Sequence, residues 1–173
     1  MIPEIKKILF ATDLSENSRT AFYYAASEAT RHGAGMVLLH VLEKAPGSID
    51  AQLEGLFGPE KWHQMQKDHE QNARQVLIGK RSDYDVICGA LADFCADANA
   101  ENGQCSFEAQ EILVKQGSAS SEILKVATEK GCDLIVLGAH KGLLGKTAVG
   151  SVVKAVLHEA RVPVLVVPPT RTA

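Results

Sequence analysis

Hydrophobic positions along the chain alternate between short continuous runs and longer stripes at helical spacing. The first run, Ile8-Leu9-Phe10-Ala11, ends at the polar turn Thr12-Asp13-Leu14-Ser15-Glu16-Asn17-Ser18. There Ser15 or Ser18 can accept a bond from the free N–H groups of a helix start. Ala21, Phe22, Ala25, Ala26 and Ala29 then form one apolar stripe on a polar helix. Gly33 and Gly35 stop it, since glycine enters the left-handed region without steric cost. Met36 to Leu42 predicts a second, buried strand. Glu111 to Gln116 reads as a strand with polar ends, as expected at a sheet edge. Ser118 or Ser120 can cap a helix carrying Ile123, Leu124, Ala127 and Thr128, closed by Gly131. Asp133 to Leu137 is a fourth strand, apolar enough for burial on both faces. A last helix carries Val149, Val152, Val153, Val156 and Leu157, and Val164 to Val167 follows as the fifth strand. Continuous apolar strands separated by amphipathic helices predict an α/β fold: an open five-stranded parallel sheet, doubly wound, with helices on both faces.

The stretch from Glu43 to Ser106 breaks this rhythm. Pro59 to Lys80 predicts a polar helix with Trp62, Met65, His69, Ala73, Val76 and Leu77 on its apolar side, and Ala90 to Ala100 a shorter one. Gly103 marks the return to the third strand. With 173 residues, the chain is expected to form one domain over 1–173, with an enlarged crossover at about 44–106 between strands two and three.

Composition narrows the partners. Eighteen basic against twenty-one acidic side chains give a formal charge of −3, so no positive field invites nucleic acid or a membrane surface. No apolar stretch approaches the ~18 residues of a membrane span. The first ten residues do not read as a signal peptide, because their apolar part is short and runs into Thr12-Asp13. The expected compartment is the cytosol, with Cys88, Cys95, Cys105 and Cys132 reduced.

In an open parallel sheet, ligands sit outside the carboxyl ends of the strands where strand order reverses. Strands one and four are the expected neighbours there. Ala11-Thr12-Asp13 follows strand one, and Gly138-Ala139-His140-Lys141-Gly142-Leu143-Leu144-Gly145-Lys146-Thr147-Ala148-Val149-Gly150-Ser151 follows strand four. Glycines at 138, 142, 145 and 150 let backbone N–H groups approach a phosphate. Gly150-Ser151 at a helix start adds free donors, a hydroxyl and the positive end of the dipole. Lys141 and Lys146 can supply point charges. Gly145-Lys146-Thr147 is not a P-loop, because the motif's first glycine would fall on His140. Gly33-Ala34-Gly35 is not a dinucleotide fingerprint, since its third glycine position is Leu38 and it precedes a strand.

Taken together, Ile8-Leu9-Phe10-Ala11-Thr12-Asp13, Leu39-His40-Val41, Leu137-Gly138-Ala139-His140, Gly150-Ser151-Val152 and Pro163-Val164-Leu165-Val166-Val167 resemble the universal stress protein family. The resemblance covers residues 5–43 and 107–169 and implies a Rossmann-like fold, similar to the adenine nucleotide alpha hydrolases. Many members bind ATP through G-x2-G-x9-G-(S/T); others lack that loop and bind no nucleotide. Here Lys141 stands at the second glycine, and the spacing becomes G-x3-G-x7-G-S if Gly142 takes that role. A lysine could replace backbone donors there as the phosphate counter-charge. Carried over by position, the nucleotide site comprises Ala11, Thr12, Asp13, Val41, Leu137, Gly138, His140, Lys141, Gly142, Gly150, Ser151 and Val152, holding ATP with or without Mg2+. Asp13 would hydrogen-bond the adenosine part, Val41 would contact adenine, and the glycine-rich loop with His140, Lys141, Ser151 and Val152 would surround the phosphates. Asp13 can equally serve the strand-to-helix turn. Ser151 can be no more than a helix-start hydroxyl, and His140 a locally bonded loop residue. The resemblance further implies a homodimer through the fifth strand, Val164, Leu165, Val166 and Val167.

Hydrolysis needs a positioned water, a base and usually a metal clamp. Asp13 is the one acidic residue in the two loops and is assigned to adenosine, so no catalytic residue is predicted and any ATP turnover should be slow or partner-stimulated. The expected role is therefore a nucleotide-responsive regulator in stress response. Two rival readings remain. One is a dimeric scaffold that binds no nucleotide. The other is a thiol or metal sensor using Cys88, Cys95 and Cys105, whose spacings lack the short C-x2-C pair of structural zinc sites.

Overall fold

A computed structural model describes residues 2–43, 49–73, 83–101, 108–141 and 147–169. The elements, in chain order, are β1 (Lys7–Thr12), α1 (Glu16–His32), β2 (Gly35–Leu42), α2 (Ile49–Phe57), α3 (Pro59–Ala73), α4 (Asp83–Glu101), β3 (Glu108–Gln116), α5 (Ala119–Glu129), β4 (Leu134–Gly138), β5 (His140–Lys141), β6 (Thr147–Ala148), α6 (Ser151–Glu159) and β7 (Val164–Val167). Five strands form one parallel sheet in the order β3-β2-β1-β4-β7, with β3 at an edge. The chain steps outward from β1 to β3, then crosses back so that β4 lies against β1 on its other side. The order therefore reverses between β1 and β4, where a parallel sheet opens a crevice at its carboxyl ends.

Alternation along the strands sorts the core into two layers. Ile8, Phe10, Met36 and Leu38 face α1, α2 and α4, and share a cluster with Phe22, Phe57, Trp62 and Phe94. Phe57 stacks on Trp62 and stands edge-on to Phe94, while Phe22 and Phe94 lie tilted with centroids 4.6 Å apart. Leu9, Ala11, Val37, Leu39, Ile135 and Leu137 face α5 and α6 and meet Ile123, Val126, Val153 and Val156. Gly33 and Gly131, at φ 60 and φ 61, end α1 and follow α5, as the glycine positions predict.

Two local expectations change. Ser15 and Ser118 occupy N-cap positions, but neither hydroxyl makes a capping bond. Ser18 lies inside α1 and donates to Asp13 instead, while a carboxylate from β2's end serves α5. In the crossover, α3 begins at Pro59 as predicted, with Trp62 buried and Met65 packed on the same cluster. The predicted extension beyond Ala73 lies outside the described residues. Helix α4 starts earlier than the expected Ala90, because Ile87 and Leu91 already turn toward the core. Helix α2 has no counterpart in the sequence reading. Its buried Leu53, Leu56 and Phe57 fall within a single turn and a half, too short a stripe to announce a helix.

Candidate nucleotide cleft at the strand ends

A cleft of about 550 Å3 opens at the carboxyl ends of β1, β2 and β4, between the starts of α5 and α6. That size is within the range of small-molecule sites. Ala11, Thr12 and Asp13 form its middle, Val41 lies toward β3, and Leu137, Gly138, Gly150, Ser151 and Val152 line the opposite end. The backbones of His140 and Lys141 pair with Ala148 and Thr147 in a two-residue hairpin. Their side chains and Gly142 lie outside the described residues. From β3 to β4 is three strand spacings, about 14 Å, so a ligand lying across the strand ends would be elongated.

The turn after β1 is built from its own side chains. Leu14 is wholly buried and sits at φ 61, a left-handed conformation that costs a non-glycine residue about 1 kcal/mol or more. The bond from Leu14 N–H to Thr12 Oγ1 (3.0 Å) and that from Ser15 N–H to Asp13 Oδ1 (3.0 Å) hold it there. Ser18 Oγ donates to the same carboxylate oxygen. Asp13 thus performs the turn role that its position allowed.

Helix α1 also fastens the other wall. Asn17 Nδ2 donates to the Ala139 carbonyl, and a Cβ on Gly138 would stand 3.3 Å from that amide nitrogen. A side chain at 138 would therefore be tight against α1 unless Asn17 shifted by a few tenths of an ångström. The Asn17 Oδ1 is buried without a hydrogen-bond partner among the described residues.

Helices α5 and α6 start at the cleft in opposite ways. At α5, Glu43 Oε1 accepts the Ala119 N–H at 3.0 Å, so a carboxylate of the chain already meets the positive end of the helix. At α6, the N-cap is Gly150, with no side-chain capping bond. The first N–H groups of a helix have no intrahelical acceptor. Ser151, Val152 and Val153 line the cleft wall, and no described side chain caps their N–H groups. A helix start of this kind favours an anion.

His40 is the polar residue that the strand pattern concealed. It is only 3% exposed, and its Nδ1 lies 2.9 Å from the Thr12 carbonyl. Burial pushes the imidazole below its usual value of 6.5, against the opposing pulls of that carbonyl and of Asp13. A histidine inside the apolar run Met36 to Leu42 was the available signal. Glu43, Gln52, Gln116, Ala119 and Ile123 also line the cleft. Gln52 could not have been found, because it lies on α2.

Cys88, Cys95 and Cys132 lie outside the cleft lining. Cys88 and Cys95 share α4, about 10 Å apart along its axis, too far to bridge each other. Burial pushes the Cys95 thiol up to about 12 and Cys132 up to about 11. Cys105 lies outside the described residues, among which no cluster of three or more metal-ligating side chains occurs. No described helix is long and apolar enough to cross a membrane.

Comparison with known proteins agrees with this architecture. The universal stress protein family profile matches residues 4–168, crossover included. Universal stress protein Sll1654 of Synechocystis is 30% identical over 164 residues, covering 94% of this chain and 85% of its own. A universal stress protein solved in complex with cAMP superposes with a TM-score of 0.61 at 17% identity, covering 97% of this chain and 100% of that one. The universal stress protein of Archaeoglobus fulgidus in complex with dAMP gives 0.52 at 21% identity, covering 96% and 98%. The chain belongs to the universal stress protein family.

Proposed function

We propose that this protein is a cytosolic, nucleotide-responsive stress protein that binds an adenine nucleotide, ATP with or without Mg2+, across the ends of β2, β1 and β4. The observation that carries this reading is the start of α6, uncapped by any described side chain, beside Gly138 in a cleft whose other helix start is already met by Glu43. That asymmetry gives the ligand a direction. Its anionic end belongs at Ser151 to Val153, where N–H groups and the helix dipole favour negative charge. Its uncharged end belongs near Val41, where a carboxylate nearby disfavours a second phosphate. Asp13, between the two, is placed to accept hydroxyl hydrogens from a ribose. The cAMP and dAMP complexes of the two related proteins support an adenine nucleotide as the ligand class.

His140, Lys141 and Gly142 complete the proposed phosphate end, with Lys141 supplying charge. The hydroxyl–carboxylate contact of the described cleft, Ser18 to Asp13, belongs to the turn and its hydroxyl is buried, so the protein's own residues position and sense the ligand in this reading, and turnover is slow or depends on a partner. Strand β7 is an edge strand with Val164, Leu165 and Val166 half-buried, which supports pairing with a second copy across a twofold axis. Mass spectrometry of small molecules released from purified protein, followed by calorimetry with ATP, tests the reading. An adenine nucleotide that co-purifies or binds measurably is expected. No released nucleotide and no heat would leave the dimeric scaffold that binds none.

A further inference from the structure

The last register pair of the β1–β2 ladder is Thr12 with His40. Beyond it the backbone turns away, and Leu14 takes its left-handed conformation. His40 stands on the face of β2 that shares its layer with α1, so its ring reaches sideways across the pair to the Thr12 carbonyl. A carbonyl can only accept, so the hydrogen must sit on Nδ1. In the neutral ring Nε2 is then an acceptor, and it is buried without a hydrogen-bond partner among the described residues. A second proton would place in the interior a charge and an N–H without an acceptor among the described residues. Geometry thus selects one tautomer and one protonation state.

We propose that His40 is a positioning residue of the cleft: its Nδ1–H fixes the Thr12 carbonyl, and through it sets the Asp13 turn in the form that receives a ligand. Thr12 is gripped at two points. Its carbonyl is held by His40, and its hydroxyl oxygen holds Leu14 N–H. With the first grip gone, the peptide joining Thr12 to Asp13 can rotate, and the strained Leu14 has a route to relax. Asp13 would then leave the place where it meets ligand, although His40 itself need touch none. The ligand arm of this proposal rests on the nucleotide reading above; the conformational arm does not.

The test compares His40→Asn with His40→Leu in the full chain. Asparagine can put its amide N–H where Nδ1–H stands but leaves a void behind it. Leucine fills the space and removes the donor. A purely structural role predicts that leucine is tolerated at least as well as asparagine. Positioning predicts the crossed order: ATP affinity falls about tenfold in His40→Leu and less than threefold in His40→Asn, whichever variant melts lower. In ligand-free wild-type protein, imidazole nitrogen shifts should report a neutral Nδ1–H ring at pH 7. The amide resonances of Asp13 to Ser15 should move in His40→Leu and stay near wild type in His40→Asn. If wild type takes up no ATP, the nucleotide reading falls, while the tautomer and the turn amides still decide the positioning role. An Nε2–H tautomer, turn amides unmoved in His40→Leu, or affinities that follow melting order would overturn it.

Discussion

Helices α5 and α6 lie side by side on one face of the sheet and start at one cleft, yet among the described residues only the start of α5 is met by a side chain. Glu43 reaches from the end of β2 to the first N–H of α5, whereas α6 begins at Gly150, and no described side chain caps its first N–H groups. Both starts carry the same partial positive charge. In the proposed reading, a 550 Å3 cleft with one helix start capped by a carboxylate and the other without a described side-chain cap sets the polarity of the ligand. On the proposed function the difference also separates stability from binding: Glu43 would serve the fold, and the start of α6 the ligand.

That contrast can be broken by substitution. The largest effect is expected for Gly150→Val, which places a branched side chain over the open N–H groups. Losing one or two charge-assisted bonds should lower ATP affinity roughly thirtyfold or more, read by calorimetry, while the melting temperature shifts little. Asp13→Ala should lower affinity about tenfold and also destabilise the protein by about 1 kcal/mol, because Ser15 N–H and Ser18 Oγ lose their acceptor. The stability loss should appear in urea unfolding without nucleotide, which separates the two roles. Glu43→Ala should do the reverse of Gly150→Val. It should cost about 0.5–1 kcal/mol of stability, since α5 loses its carboxylate, and change ATP affinity less than threefold. If Glu43→Ala abolished binding and Gly150→Val did not, the assignment of the two helix starts would be inverted.

The smallest effect concerns pH. His40 is held below its ordinary 6.5 in the folded chain, chiefly by burial, so the unfolded chain takes up the proton first. Its contribution is therefore complete above about pH 6.5 and is lost progressively as pH falls from there toward the lower folded value. Urea unfolding between pH 7.5 and 5 should show stability declining below 6.5, with a shallower decline in His40→Asn. Asp13 is the charged group that opposes the shift, so the decline should be steeper in Asp13→Asn.

The sheet and its reversal point were legible in the sequence because the signal was periodic. Ile8 to Ala11, Met36 to Leu42 and Val164 to Val167 are continuous apolar runs between helical stripes, and a parallel sheet covered on both faces leaves little alternative. The cleft followed from the same rule, since Asp13, Gly138 and Gly150 had to converge once β1 and β4 were neighbours. Tertiary contacts were less legible. Nothing local says that Glu43 will meet Ala119, distant in sequence, in preference to the hydroxyl of Ser118 one residue before it. His40 was hidden for a related reason: a strand pattern reports burial, whereas the partner that makes a buried imidazole tolerable lies on the neighbouring strand. The crossover was read least well, because α2 and α4 are helices defined by the aromatic cluster they pack against more than by their own periodicity.

Amide chemical-shift mapping with ATP and with adenosine tests the central claim most directly. ATP should displace the resonances of Ser151, Val152 and Val153 strongly and leave that of Ala119 nearly in place, while adenosine should perturb Asp13 and Val41 with little change at α6. Strong shifts at Ala119 with none at α6, or no saturable shifts with either ligand, would contradict it.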